Sequence, residues 1–346
     1  WLDDFALFMA VKGRFEGKPW IEWAEDIRLR WQNAMDYYRR ELYFEVEYYK
    51  YLQFKFDQQW RALKAYANEK GIRIIGDIPI YVALDSADAW ANPQMFQLDE
   101  DNIPTAVAGV PPDGFSPTGQ LWGNPLYAWD AHKNSDFSWW ISRIRTQLKN
   151  LDILRIDHFR GFDACWSIPY GEPTAVNGHW AKVPGWDLFG AISQALGDDL
   201  PIIAEDLGYM TDTVKRLVEE SGYPNMKVIE FAFDERDTGN ASDYLPHNYP
   251  RNCVVYTGTH DNETLVSWLD NITPQERRQV RKYLNNFHDS GKELCDDLIC
   301  LVMQSVADLC IIPMQDYLGL DNSARMNQPS TLGKNWKWRL KEGQFS

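Results

Sequence analysis

Carboxylates follow three short apolar segments of this chain, at the point where each apolar pattern stops. Asp157, Glu205 and Asp261 occupy these positions, and the segments before them are rich in Ile, Leu or Val. Such segments are typical of strands buried on both faces of a parallel sheet. One strand with an acidic loop after it would be ordinary, but a parallel α/β architecture gathers successive strand ends on one face. The repeated pattern therefore predicts that the three carboxylates form one site.

Two carboxyl groups of this kind can break and re-form the acetal bond between sugars. One is ionised and acts as nucleophile, and the other is protonated and acts as acid, through an oxocarbenium-like transition state. Arg155 precedes Asp157 by two positions on the same strand face, so its charge is expected to lower the pKa of Asp157. Burial and a neighbouring anion would keep Glu205 protonated. Asp261 could hold sugar hydroxyls and stabilise positive charge at the anomeric carbon, with His260 as its hydrogen-bonding partner.

Other interpretations of these residues stay open at this point. Arg155 and Asp157 could form a purely structural ion pair, and His158 and His260 could be core histidines. A carboxylate cluster could also bind Mg²⁺ or Ca²⁺, but each strand supplies one or two acids rather than an oxygen-rich loop. No spacing of His and Asp favours a transition metal either. Neither a metal nor another cofactor is predicted.

The composition favours a neutral ligand with apolar faces. The net charge of −15 argues against nucleic acid or an anionic membrane as a partner, because both bind positive surfaces. The chain has 16 Trp, 17 Tyr and 16 Phe, and many of them lie in Pro/Gly-rich segments where a core role is harder to defend. Aromatic rings are flat apolar platforms, which suit the ring faces of a sugar.

The cysteines and the absence of long apolar runs favour the cytoplasm. The 5 cysteines show no Cys-x-x-Cys pair and no paired His spacing, so we expect reduced, mostly buried thiols rather than a zinc site or disulfides. We find no signal peptide pattern and no apolar run of about 18 residues that could span a bilayer.

Short apolar segments alternate with helical patterns along most of the chain, which predicts an α/β fold. Residues 1–70 have the mixed three- and four-residue spacing of helices, and Gly71 is expected to end the last of them. Strands are predicted near positions 72, 153, 202, 226, 253 and 309. Two Pro/Gly-rich segments, 83–130 and 162–184, are predicted to lack regular structure. A long loop of this kind is usually functional.

Seven motifs of the chain carry a resemblance to a known family. The motifs are Ile-Gly-Asp-Ile-Pro-Ile-Tyr-Val at 75–82, Asp-Ser-Ala-Asp-Ala-Trp-Ala-Asn-Pro at 85–93, Gly-Val-Pro-Pro-Asp-Gly-Phe-Ser at 109–116, Gly-Gln-Leu-Trp-Gly-Asn-Pro at 119–125, Arg-Ile-Asp-His-Phe-Arg-Gly at 155–161, Ala-Glu-Asp-Leu-Gly at 204–208 and Gly-Thr-His-Asp-Asn at 258–262. They resemble, in order and spacing through nearly the whole chain, those of the amylomaltases, the 4-α-glucanotransferases or disproportionating enzymes of glycoside hydrolase family 77 in the α-amylase clan.

The resemblance implies a retaining transfer of α-1,4-glucan segments between malto-oligosaccharides, with glucose as the smallest product or acceptor. By motif position, Asp157 matches the nucleophile, Glu205 the general acid/base and Asp261 the transition-state stabiliser. Arg155 and His260 match residues that contact the donor sugar. No cofactor is implied.

The same motifs imply further residues of the substrate site. Asp77 matches a buried active-site aspartate, and His158 is a further candidate for substrate binding. A Pro-stiffened loop is similar to the family's lid over the substrate, and by stacking and excluding water it would favour transfer over hydrolysis. The lid residues are Asp113, Phe115, Trp122 and Asn124.

The family's fold is a (β/α)₈ TIM barrel with helical and loop insertions, of which this chain is predicted to lack the first two strands. Residues 1–70 would then be a helical insertion, and residues 71–346 the catalytic barrel with strands three to eight and a long loop at 83–130. Two alternatives to a glucanotransferase remain. One is an α-glucan hydrolase of the same clan, and the other is an inactive, truncated glucan-binding fragment.

Overall fold

The computed structural model of the protein divides into two compact units, Trp1–Ile202 and Ile203–Ser346. It describes residues 1–113, 116–208, 210–234, 241–287, 291–329 and 331–344. The α-helices of these residues are α1 (Leu2–Arg14), α2 (Glu25–Arg28), α3 (Gln32–Glu41), α4 (Tyr43–Glu69), α5 (Ala87–Ala91), α6 (Trp129–Asn134), α7 (Ser138–Asn150), α8 (Gly185–Leu196), α9 (Asp212–Ser221), α10 (Leu265–Asn271), α11 (Pro274–Leu284), α12 (Gly291–Met303) and α13 (Met314–Tyr317). The strands are β1 (Ile75–Ile78), β2 (Ala106–Val110), β3 (Gln120–Pro125), β4 (Ile153–Ile156), β5 (Ala164–Pro169), β6 (His179–Lys182), β7 (Ile202–Ala204), β8 (Asn225–Val228), β9 (Cys253–Tyr256) and β10 (Leu309–Ile311).

The first 70 residues are helical, as the apolar spacing predicts. They form the four helices α1 to α4, of which α4 is the longest. Gly71 follows α4 with φ of +75°, a left-handed conformation that favours glycine, and the N–H of Ile72 donates to the carbonyl of Ala67 at 2.9 Å. The predicted helix end at Gly71 is confirmed.

A parallel strand pair in the first unit aligns the two charged residues of its central positions. β1 pairs with β4 so that Asp77 lies opposite Arg155. β1 is at the edge of a sheet with the order β1-β4-β7, and the border between the units falls within β7. On the other side of β4, the N–H of Leu154 donates to the carbonyl of Pro201 at 2.8 Å. This register makes Asp157 the first residue after the paired part of β4.

The second unit contains a parallel sheet in the order β10-β9-β8. All four residues of β9 are buried, and Val255 belongs to an apolar cluster with Leu298 and Val302 of α12. Burial on both faces explains the unbroken apolar pattern of this strand. The chain then leaves the sheet at Thr257, four residues before Asp261.

The expectation that segments 83–130 and 162–184 lack regular structure is wrong. They contribute a four-stranded antiparallel sheet in the order β3-β2-β5-β6 to the first unit. The glycines that indicated a loop have a structural role instead. At Gly109, inside β2, an added Cβ would lie 2.2 Å from the carbonyl oxygen of Gln120 on β3, beside a register shift between the two strands.

Gly109→Ala is expected to destabilise the first unit by about 2–3 kcal/mol, because the backbone of β3 would have to move. The melting temperature should fall by about 5 °C. Gly190→Ala is the matched control. Gly190 lies inside α8, and an added Cβ there meets no atom of the described residues within 4 Å, so alanine should stabilise the helix by about 0.5–1 kcal/mol. Equal melting temperatures for the two variants would contradict this account of β2.

The strands predicted near 72, 153, 202, 226, 253 and 309 are all present, which confirms the α/β class. All 5 cysteines are free, and three of them are buried. In the described part of the chain, we find no helix that is both long and apolar enough to cross a membrane. The closed barrel, its missing strands and the domain boundaries at 70 and 71 stay predictions.

Candidate active site

In the first unit, Arg155 holds two carboxylates with one nitrogen. Its Nη1 lies 2.6 Å from Oδ2 of Asp77 and 3.0 Å from Oδ1 of Asp157. The Arg155 side chain is 9% exposed and that of Asp157 is 41% exposed. The predicted pairing of Arg155 with Asp157 is therefore confirmed. A buried guanidinium favours the ionised form of a partner that solvent or a substrate can still reach.

Asp77 differs from its expected environment. The resemblance implies a buried aspartate, but 40% of the Asp77 side chain is exposed. The reason is the position of β1 at the edge of its sheet, where no strand of the described residues covers the outer side. Asp77 nevertheless contacts Arg155, so it belongs to the same charged cluster as Asp157.

His158 lies directly after Asp157 in a left-handed conformation, with φ of +53°. Burial, and secondarily the charge of Arg160, lowers the pKa of His158 to about 3, so its ring is neutral near pH 7. The ring packs edge-on against Trp122, with 4.8 Å between the ring centroids. The indole N–H of Trp122 donates to Oε1 of Gln120 at 3.0 Å. Trp122 is thus held next to the motif that contains Asp157.

Two other predicted lid residues, Asp113 and Asn124, form hydrogen bonds with backbone groups. Oδ1 of Asp113 accepts the N–H of Ser116 at 2.7 Å. Nδ2 of Asn124 donates to the carbonyl of Val82 at 2.9 Å. Phe115 lies outside the described residues. Asp113 and Asn124 therefore shape the segment that carries Trp122, and their predicted contact with substrate stays a prediction.

In the second unit, two neighbouring carboxyls follow β7. Glu205 is buried, as predicted, and its Oε1 accepts the N–H of Leu207 at 2.7 Å. Asp206 is also buried, and its Oδ1 accepts the N–H of Met226 at 2.9 Å. Burial raises the pKa of Asp206 to about 6. Asp206 links the β7 end to β8, whereas the role of Glu205 as acid stays a prediction.

Asp261 is fixed by residues that are distant in sequence. Nδ2 of Asn327 donates to its Oδ1 at 2.6 Å, and Nη2 of Arg325 donates to its backbone carbonyl at 2.5 Å. Nε2 of His260 lies 3.4 Å from its Oδ2, so the two side chains are close, and the predicted hydrogen-bonding role of His260 stays a prediction. The N–H of Asn327 also donates to the carbonyl of His260 at 3.0 Å. The segment around Arg325 and Asn327 therefore orients both residues.

Three residues near Asp261 were not predicted from the sequence. Arg325 and Asn327 are the first two, and Trp336 is the third, with 5.1 Å between its ring centroid and that of His260. No direct signal for them is present in the sequence, because the apolar residues 312–314 follow the last strand, β10, and Arg325 lies further along the chain. A cavity of about 160 Å³ beside this loop is lined by residues that include His260 and Arg325.

Carboxylates follow parallel strands in both units: Asp157 lies beside the buried Arg155, and Asp261 lies beside His260. Carboxyl groups are the side chains with which enzymes act on glycosidic bonds. The family model described as 4-alpha-glucanotransferase matches residues 1–344. The chain belongs to this family. The resemblance of the seven motifs and the predicted 4-α-glucanotransferase activity are thereby confirmed.

Relatives and solved structures agree with this assignment. The 4-alpha-glucanotransferase of Clostridium butyricum is 49% identical over 348 residues, which cover 100% of this chain and 70% of the relative. The 4-alpha-glucanotransferase of Thermus thermophilus is 48% identical over 351 residues, with 100% and 69% covered. The amylomaltase from Streptococcus agalactiae in complex with acarbose has a TM-score of 0.94 and 45% identity, and the match covers 100% of this chain and 69% of that one. The amylomaltase from Corynebacterium glutamicum, at 20% identity and a TM-score of 0.71, shows the fold alone.

Proposed function

We propose that this chain transfers α-1,4-glucan segments between malto-oligosaccharides by double displacement, with Asp157 as the nucleophile. The observation that carries the proposal is the contact of the buried Arg155 with the half-exposed Asp157. A nucleophilic carboxylate must be ionised and accessible, and this pair satisfies both needs. The neutral His158 adds no competing positive charge beside it.

Each step of the proposed reaction has an assigned group. Asp157 attacks the anomeric carbon while Glu205 gives its proton to the departing glycosidic oxygen, which leaves a glycosyl ester on Asp157. Glu205, now ionised, then takes the proton of an acceptor hydroxyl as that oxygen displaces Asp157 from the anomeric carbon. Two inversions retain the configuration. Asp261 stabilises the positive charge of both transition states, and Arg155 and His260 bind the donor sugar.

The proposal includes the architecture that the family resemblance implies. Residues 71–346 would supply strands three to eight of a (β/α)₈ barrel, and residues 1–70 a helical insertion. The parallel pairing of β1 with β4 and of β8, β9 and β10 supports this assignment. Proposed donors are malto-oligosaccharides, and proposed acceptors are the same molecules or glucose.

Incubation of the purified chain with maltotriose tests the proposed function. Glucose together with a ladder of products longer than maltotriose is the expected result. Shorter products alone would favour the hydrolase alternative, because water would then be the acceptor. A folded chain that binds maltotriose but forms no product would favour the inactive glucan-binding alternative. Either of these outcomes would contradict the proposal.

Trp122→Ala is expected to lower the ratio of transfer to hydrolysis about tenfold, because stacking by an indole contributes about 1 kcal/mol or more to holding an acceptor sugar. Trp186→Ala is the matched control. The two side chains are similarly exposed, 36% and 44%, but Trp186 lies on α8, outside the lid segment. Product analysis by length gives the ratio directly. An unchanged ratio in Trp122→Ala would exclude the lid role.

A further inference from the structure

Glu230 lies buried against the turn that carries Asp261, and the proposed reaction does not use it. It follows β8 and is 4% exposed. Among the described residues, its Oε1 has no hydrogen-bond partner. A Cβ added at Gly258 would lie 2.9 Å from that oxygen, so the absence of a side chain at Gly258 allows the carboxyl to approach the backbone. A buried carboxyl with an unsatisfied oxygen is costly, which calls for a functional or structural reason.

The turn itself explains what Glu230 contacts. Oδ1 of Asn262 accepts hydrogen bonds from the N–H and the hydroxyl of Thr259, at 2.9 and 2.7 Å. The oxygen side of the Asn262 amide is thereby fixed. Oε1 of Glu230 and Cβ of Asn262 lie 2.9 and 3.2 Å from the place where a Cβ of Gly258 would be, so the two side chains meet at Gly258. Asp261 directly precedes Asn262 in the same four-residue turn. Any movement of Asn262 therefore changes the direction of the Asp261 side chain.

We propose that Glu230 is a positioning residue that packs against Asn262 and so fixes the orientation of Asp261 toward the donor sugar. Asn327 and Arg325 hold Asp261 from the other side, through its carboxylate and its backbone carbonyl. The turn is thus clamped between two parts of the second unit. The inference rests on the proposed function of Asp261, since only a reacting group needs this degree of orientation.

The surroundings of Glu230 favour its neutral form. Burial raises its pKa well above the ordinary value of 4.5, and the negative charges of Asp316 and Glu263 raise it further, while the charge of Arg325 and hydrogen bonding from Asn262 lower it by less. Cys295 of α12 also faces Glu230, but burial raises the pKa of its thiol to about 12, so it adds no charge near neutrality. A neutral carboxyl can lie beside Asp261 without repelling it.

Asp316 differs from Glu230 in its hydrogen bonds. Its Oδ2 accepts the hydroxyl of Thr257 at 2.6 Å and its Oδ1 accepts the N–H of Leu265 at 2.8 Å. Burial raises the pKa of Asp316, and both hydrogen bonds lower it. Because both oxygens of Asp316 are satisfied as an anion would be, Glu230 is the member of the pair that keeps a proton. Asp316 therefore hydrogen bonds to both ends of the loop from Thr257 to Leu265, and Glu230 packs against the middle of this loop.

The raised pKa sets the direction of the pH dependence. Between 4.5 and the raised value, the unfolded chain has lost the proton of Glu230 while the folded chain keeps it. The contribution of Glu230 to stability is therefore complete at low pH and is lost as the pH rises through the folded pKa. Above that pKa, a charged Glu230 repels Asp316 and Glu263 and displaces the turn.

Two variants of Glu230 test the inference. Glu230→Gln keeps a neutral hydrogen-bonding group, so kcat with maltotriose should stay within about threefold of the wild-type value while the alkaline limb of the pH profile moves to higher pH. Glu230→Ala removes the contact to Asn262 and should lower kcat about 100-fold with little change in KM. Thermal melting from pH about 5 to about 9 should show a growing advantage of Glu230→Gln over the wild type.

Glu276 supplies the matched control. It is a buried glutamate of the same unit, but it accepts the N–H of Thr273 in the capping box of α11. Glu276→Gln should preserve both the kcat and the alkaline limb, because glutamine also serves at this capping position. Glu276→Ala should lower the melting temperature without a selective loss of kcat below it.

The failure of this inference is distinguishable from that of the proposed function. A wild-type chain without a ladder from maltotriose would overturn the proposed function. A wild-type chain with a ladder and an unchanged kcat in Glu230→Ala would overturn the positioning role alone. An unmoved alkaline limb in Glu230→Gln would overturn it as well, even if Glu230→Ala does not fold.

Discussion

Asp157→Asn is expected to lower the rate of glucan transfer at least about 10⁴-fold, equivalent to roughly 5 kcal/mol of transition-state stabilisation. An amide oxygen is a poor nucleophile and cannot form the glycosyl ester. The amide oxygen of Asn can still accept an N–H of Arg155 at this position, so folding should be preserved. Product formation from maltotriose measures the rate, and circular dichroism checks the fold.

Asp163→Asn is the control for this variant. Asp163 lies six positions further along and pairs with Lys182 at 3.3 Å, so the substitution also removes one charge from an ion pair of the first unit. The Lys182 side chain of this pair is 75% exposed, so water screens the interaction, and its loss should cost about 1 kcal/mol or less. Asp163→Asn should therefore transfer glucan at nearly the wild-type rate. Transfer by Asp157→Asn at a rate similar to that of Asp163→Asn would rule out Asp157 as the nucleophile.

Glu205→Ala is expected to cause the second large effect, with a loss of about 10³-fold or more on maltotriose, since the departing oxygen would leave without a proton. A sugar fluoride needs no such proton, because fluoride departs unaided. On α-maltosyl fluoride, the first step should therefore survive and the second should limit the rate. Added azide needs no general base, so it should restore turnover and give an azide product of retained configuration.

The neighbouring Asp206 provides a sharp comparison. Its Oδ1 accepts the N–H of Met226, and the amide oxygen of Asp206→Asn can accept the same hydrogen bond. Because burial already raises the pKa of Asp206 to about 6, the loss of its charge should cost little. Asp206→Asn should keep most of the activity without azide. If azide rescued Asp206→Asn and not Glu205→Ala, the acid/base role would belong to Asp206.

The pairing of Arg155 with Asp157 could be predicted because it depends on local geometry. Residues two positions apart on a strand share a face, and this holds whatever surrounds the strand. The cap of α9 is equally local, since the hydroxyl of Thr211 accepts the N–H of Val214, three residues further along. Interactions between residues that are close in sequence can therefore be predicted from the sequence alone.

The exposure of Asp77 and the supports of Asp261 depend on distant parts of the chain. Whether β1 lies at an edge is decided by which strands pair with it, and a strand's own residues do not specify its neighbours. Arg325 and Asn327 reach Asp261 across 64 and 66 positions. Neither residue directly follows a strand, so no sequence pattern indicates that they contact Asp261.

The antiparallel sheet of the first unit was not predicted because glycine and proline occur in two different structural settings. They mark turns, and they also mark positions in strands where backbones approach closely. Gly109 is of the second kind, since the carbonyl of Gln120 occupies the place of a side chain. Apolar residues such as Val107 and Ile168, which are buried in this sheet, were too few around the glycines to indicate strands.

The most direct test of the central claim is to locate the sugar on the trapped intermediate. Glu205→Ala is mixed with α-maltosyl fluoride, quenched with acid, digested with protease and analysed by mass spectrometry. The proposed mechanism predicts one added maltosyl mass on the peptide that contains Asp157, and none when Asp157→Asn is combined with Glu205→Ala. A maltosyl group on the peptide that contains Asp261, or release of fluoride without any adduct, would contradict it.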